Sequence, residues 1–164
     1  MIKQIAIATM ALSSFVAAAE TTITGNVQSK CVIYTAMDGV YGNPTADTLT
    51  TDRQQGGVLP IVRFDVVNGG DYAARITYPT SFSTSPSLSD TVAWTGNVQV
   101  SQVSDPGMSA YETQKVQYES TTVFPLTIAG SVWFQVESTA KYGVGKSFPG
   151  GTYRSVVEAE CVAK

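Results

Sequence analysis

Val62-Arg63-Phe64-Asp65-Val66-Val67-Asn68-Gly69-Gly70-Asp71-Tyr72-Ala73-Ala74-Arg75-Ile76-Thr77-Tyr78 is the stretch that decides the fold class. Val62, Phe64 and Val66 alternate with Arg63 and Asp65. Tyr72, Ala74, Ile76 and Tyr78 alternate with Ala73, Arg75 and Thr77. Successive side chains of a strand point to opposite faces, so a period of two marks a strand with one apolar side. Between the two runs, Asn68-Gly69-Gly70 supplies residues that turn the chain readily. The pattern predicts two strands joined as a hairpin.

The same period extends in both directions. Ile23, Val27, Cys31 and Ile33 share a face opposite Thr24, Asn26, Gln28 and Lys30. Val92, Trp94, Val98 and Val100 line another strand, with Gly96 read as a bulge. Val116 and Tyr118, then Phe124, Leu126 and Ile128, then Val132, Phe134 and Val136 mark three more. Tyr153, Val157, Ala159 and Cys161 make the last, opposite Thr152, Arg154, Glu158 and Glu160. That is about eight strands, and no segment sustains a 3.6-residue apolar period. The expected fold is all-β: an immunoglobulin-like β-sandwich of about seven or eight strands, with an up-and-down barrel as the structural alternative. Long connections are expected over 35–57, 79–89 and 104–111.

Composition sets the surroundings. Residues 1–19 read as a secretory signal: Lys3, an apolar run from Ile5 to Val16, and Ala17-Ala18-Ala19 as the cleavage site. The run is too short to span a bilayer, and no second one follows. The expected product is therefore a single domain over 20–164 with no membrane-spanning segment, exported by a bacterium through the Sec route. The 164 residues carry a net charge of −3 and no basic cluster, which argues against nucleic acid as a partner. Cys31 and Cys161 are the only two cysteines, and an even count in an oxidising compartment predicts a disulfide. Closing so long a loop is worth roughly 4–5 kcal/mol in the chain-entropy model.

Motifs of catalysis are scarce. The chain has no His, which removes Ser-His-Asp, Cys-His and HExxH chemistry. Two Cys without His are too few ligands for zinc. Ser138-Thr139-Ala140-Lys141 matches S-x-x-K by spacing alone, without a downstream K-T-G. Gly143-Val144-Gly145-Lys146-Ser147 imitates the end of a phosphate loop, but no helix is readable after it. A carboxylate-based hydrolase would need two acids converging in a cleft, and the sequence does not single out a pair. The expectation is a protein that is not an enzyme and uses no cofactor or metal.

Two stretches point elsewhere: Gly25-Asn26-Val27-Gln28-Ser29-Lys30-Cys31, and Gly150-Gly151-Thr152-Tyr153 with the alternating run after it. Here the sequence resembles the fimbrial subunits of the bacterial chaperone–usher pathway. In that family a G-x-V strand leads into a Cys, and the last strand begins at a Gly fourteen residues from the end, the place of Gly151. The resemblance implies an incomplete sandwich, completed by a strand lent from another chain. It implies a donor strand carrying Ile23, Gly25 and Val27, and an acceptor edge carrying Gly151, Tyr153, Val157 and Ala159. The implied partners are other copies or related fibre subunits, a periplasmic chaperone and an outer-membrane usher. The implied place is the periplasm in transit, then the cell surface, in adhesion or biofilm formation. The other reading is a self-complete secreted sandwich that binds carbohydrate or protein, presenting loops such as Met37–Asn43 or Ser81–Ser87.

Overall fold

The computed structural model describes residues 30–164 together with Thr24. The leader and the donor residues Ile23, Gly25 and Val27 lie outside the described residues. Ten strands run in chain order: β1 (Cys31–Met37), β2 (Gly42–Thr45), β3 (Thr48–Thr50), β4 (Ile61–Val66), β5 (Tyr72–Thr77), β6 (Val92–Val103), β7 (Val116–Tyr118), β8 (Thr121–Leu126), β9 (Gly130–Tyr142) and β10 (Glu158–Ala163). A 3-10 helix over Pro106–Ala110 leads into one turn of α-helix, α1 (Tyr111–Gln114), between β6 and β7.

The strands form two antiparallel sheets, so the fold is an all-β sandwich rather than a barrel. The larger sheet is built on β9. β6 pairs along its whole length on one side; β4 and β3 share the other. β1 lies outside β4, and β2 outside β3. The smaller sheet runs β10-β5-β8-β7. The core lies between them. Phe64, Phe134 and Val136 come from one layer, Ile76, Phe124 and Leu126 from the other, all at most 1% exposed. Phe134 touches both Phe64 and Phe124, with ring centroids 5.6 and 4.3 Å apart. The far ends of β6 and β9 lie under the loops 79–91 and 143–157. There Phe82 packs on Trp94 and Tyr153, and Phe148 stacks on Tyr142.

Three expectations are corrected. The runs 62–66 and 72–78 are not a hairpin: β4 lies in the larger sheet and β5 in the smaller. The turn crosses between layers, with the Val67 N–H donating to the Lys30 carbonyl and the Gly70 N–H to that of Leu126. A Cβ on Gly69 would sit 2.2 Å from the Thr127 carbonyl oxygen, so glycine is what lets the crossing pass so close. Second, Gly96 is not a bulge. It stands in register with Ser138, and the irregularity falls between Val100 and Gln102. Gly96 instead makes room for the Tyr78 ring, since a Cβ there would meet Tyr78 Cγ at 2.6 Å and the Glu137 carbonyl oxygen at 2.5 Å. Third, 35–57 is not a bare connection but contains β2 and β3. Their short sequences, Gly-Asn-Pro-Thr and Thr-Leu-Thr, are too polar to show an apolar period.

Candidate functional site: the seam between β1 and β10

A sandwich of two open sheets has two flanks where edge strands face each other across the core. On one flank stand β1 and β10, each bonded to a single neighbour among the described residues, β4 and β5 respectively. Their hydrogen-bonding alternation follows from two bonds just beyond the strands. The Lys164 N–H donates to the Asp71 carbonyl, so in β10 the even residues bond to β5. The main-chain groups of Ala159, Cys161 and Ala163 therefore turn outward. The Val67 N–H donates to the Lys30 carbonyl, so in β1 Cys31, Ile33 and Thr35 turn outward in the same way. None of these six residues has a further hydrogen-bond partner among the described residues.

The side chains beneath are incompletely covered. Cys31, Ile33, Val157, Ala159 and Cys161 pack against the core yet stay half-buried, whereas Phe64, Ile76 and Phe134 are fully enclosed. Across the seam runs the expected disulfide, Cys31–Cys161, with Cα atoms 6.2 Å apart. Glu158 and Glu160 lie on the outer face of β10, and Glu160 faces Arg75 of β5 at 3.3 Å. That pair is exposed and contributes little stability.

The other edges are blunted. β7 has three residues. β2 has four, including Pro44, which has no N–H to offer. β6 is long, but the segment after it closes that flank. Met108 and Tyr111 are each 1% exposed and fill the space between the sheets, and the Tyr111 hydroxyl accepts from the Ile128 N–H. From α1 and the residue after it, Glu112 Oε2 accepts from the Val100 N–H and Lys115 Nζ donates to the Val98 carbonyl, each at 2.8 Å. An acid and a base three residues apart are the only trace of this arrangement in the sequence, and the strand pattern does not reveal it.

The four acceptor residues named from the sequence do not form one line. Ala159 lies in the edge strand, and Val157 packs on the core just before it. Gly151 and Tyr153 precede the strand, in the loop 143–157. Gly151 has φ +153 and lies against Pro86. Tyr153 packs in the aromatic group around Phe82, where burial pushes its phenol pKa up. The alternation continued through them by coincidence of spacing. Arg154 alone bridges, to Thr84.

Two other surfaces hold polar groups together. An open groove of about 420 Å³ on the outside of the larger sheet is lined by Asp52, Arg53, Gln99, Gln135 and Glu137, among others. It contains two carboxylates, but both Asp52 oxygens are occupied by the Gln54 N–H and the Gln55 amide. Asp52 thus caps a 3-10 turn over Arg53–Gln55. Elsewhere on that face Arg63 lies over the Tyr34 and Trp133 rings and is hydrogen-bonded to Asp65. That bond holds the Asp65 carboxyl below the usual carboxylate range. Ser138 is buried and 3.2 Å from the Tyr41 hydroxyl, while Lys141 is exposed on the opposite face of the strand. Among the described residues no group of three His, Cys, Asp or Glu is placed to hold a metal ion, and no helix is long and apolar enough to cross a membrane. No protein-family model, curated protein or solved structure matches this chain.

Proposed function

We propose that the chain is a structural or tip subunit of a bacterial surface fibre, joined to its neighbours by a strand lent from one chain to the next. The observation that supports this reading is the seam: outward main-chain groups on β10 and β1 above half-buried core side chains. A strand laid there gains hydrogen bonds and covers apolar surface together. Repeated head to tail, such a contact gives a fibre rather than a closed ring. The donor is the segment Glu20–Gln28 of another copy or a related subunit, and a chaperone and usher hold the seam during export. The outer surface then serves adhesion or biofilm formation.

The test is size-exclusion chromatography of oxidised protein 20–164 expressed alone, followed by a melt with and without a synthetic peptide of residues 20–28. Long oligomers, or a monomer whose melt rises with peptide, support the reading. A ligand at a hundredfold excess over its Kd adds about 2.7 kcal/mol. A stable monomer indifferent to the peptide overturns it. That outcome would favour the self-complete binding module, a reading supported by the disulfide that already ties the flank.

A further inference from the structure

We propose that Glu112 and Lys115 form an edge guard, which keeps β6 from pairing with the β6 strand of a second copy. β6 is twelve residues long and is bonded on one side by β9. Its register fixes which groups face out. The Val136 N–H donates to the Pro60 carbonyl, away from β6, so Val98 opposite it turns its own main chain to the edge. By the same alternation Val92, Trp94, Gly96 and Val100 face outward. Without an obstacle these residues offer a continuous run on which an antiparallel copy of the same strand would zip.

The guard interrupts that run. Lys115 Nζ sits on the Val98 carbonyl and Glu112 Oε2 on the Val100 N–H, and the two side chains pair at 2.5 Å. An incoming strand would have to displace both charges from the groups it needs. The outward run then ends at Gly96, half the length of the strand. The pair is held in place from behind. The same segment carries Met108 and Tyr111 into the core, and the Lys115 ammonium lies 6.0 Å from the Phe124 ring centroid. One connection thus fills the flank with two apolar side chains and blocks its edge with two charged ones. The inference does not depend on the seam accepting a strand, because its readout is confined to β6.

The test compares the oxidised wild-type protein with Glu112→Ala/Lys115→Ala and, as a variant that removes the ammonium but keeps a long unbranched side chain, Lys115→Met. Glu112→Gln, which retains an acceptor for the Val100 N–H, is the conservative control. Sedimentation over a concentration series gives self-association, and amide hydrogen exchange gives its location. We expect the double variant and Lys115→Met to associate more tightly than wild type, with exchange at Val92, Trp94, Gly96 and Val98 slowed about tenfold or more. Glu112→Gln should stay close to wild type. Variants that fold and show no added association, or associate with protection elsewhere, overturn the guard. Equal association of Glu112→Gln and the double variant also overturns it.

Discussion

A pair of proline substitutions on neighbouring residues of β10 separates its free edge from its bonded one. Proline removes a backbone N–H, so its cost depends on where that N–H points. The Glu160 N–H is directed at Arg75 of β5, and the Ala159 N–H is directed outward. Glu160→Pro loses a ladder bond, worth about 1 kcal/mol net, and strands the Arg75 carbonyl, with the ring clashing against β5; the sum is about 3 kcal/mol. Losing the exposed Glu160–Arg75 ion pair adds only a few tenths, about 0.3 kcal/mol, which Glu160→Ala measures directly. Ala159→Pro breaks no hydrogen bond among the described residues and should cost less than about 1 kcal/mol, as proline does on edge strands. Its effect appears instead on strand addition: affinity for the 20–28 peptide should fall about tenfold, the value of one hydrogen bond near 1.4 kcal/mol. Urea unfolding of each variant, with and without peptide, reads both quantities. Equal stability losses for the two prolines would refute the assignment of edge and ladder faces, and with it the seam.

Replacing both cysteines by Ala should remove about 5 kcal/mol, since the bridge spans 130 residues of sequence; for a domain of this size that lowers Tm by about 10–20 °C. A loss under about 2 kcal/mol, seen by calorimetry, would mean that other contacts already hold β1 to β10. Gly96→Ala forces a Cβ against the Glu137 carbonyl and the Tyr78 ring and should destabilise by about 1–3 kcal/mol, measured by urea unfolding. The Thr122 hydroxyl is buried without a partner among the described residues, so Thr122→Val should raise stability by about 1 kcal/mol in the same assay. Asp65 has a folded pKa held down by Arg63, so its contribution is complete above its unfolded value of about 3.9 and fades as pH falls through the lower folded value. Melts from neutral to acid pH should show Asp65→Asn destabilised relative to wild type at neutral pH, the difference shrinking in acid.

The apolar faces were legible in the sequence because burial acts on each strand separately. Phe64, Ile76, Phe124 and Phe134 all sit where a period of two places them. Partnership was not legible. β4 and β5 turn apolar sides to the same interior from opposite layers, and their local alternation is the same as that of a hairpin. The disulfide was accessible because two cysteines permit one intramolecular pairing. β2 and β3 escaped because Asn43 and Pro44 carry no apolar signal, and α1 because a single turn shows no period.

The candidate site follows the same logic one step further. An edge strand and an interior strand can share one side-chain pattern, because the difference lies in main-chain groups that every residue has. β10 reads like β5, yet among the described residues β10 has one bonded neighbour and β5 has two. The structure shows how each edge is treated. The β6 edge has a carboxylate and an ammonium seated on its outward groups. The β10 edge has the small residues Ala159 and Ala163 around Cys161, with its charges, Glu158 and Glu160, turned to the outer face. Charge that blocks an edge must reach its main chain, and on β10 the two acids belong to the residues bonded to β5. Under the two proposals made above, the flanks of one sandwich differ in the groups they present: side-chain charges seated on the β6 edge, and outward main-chain groups left without such charges on the β10 edge.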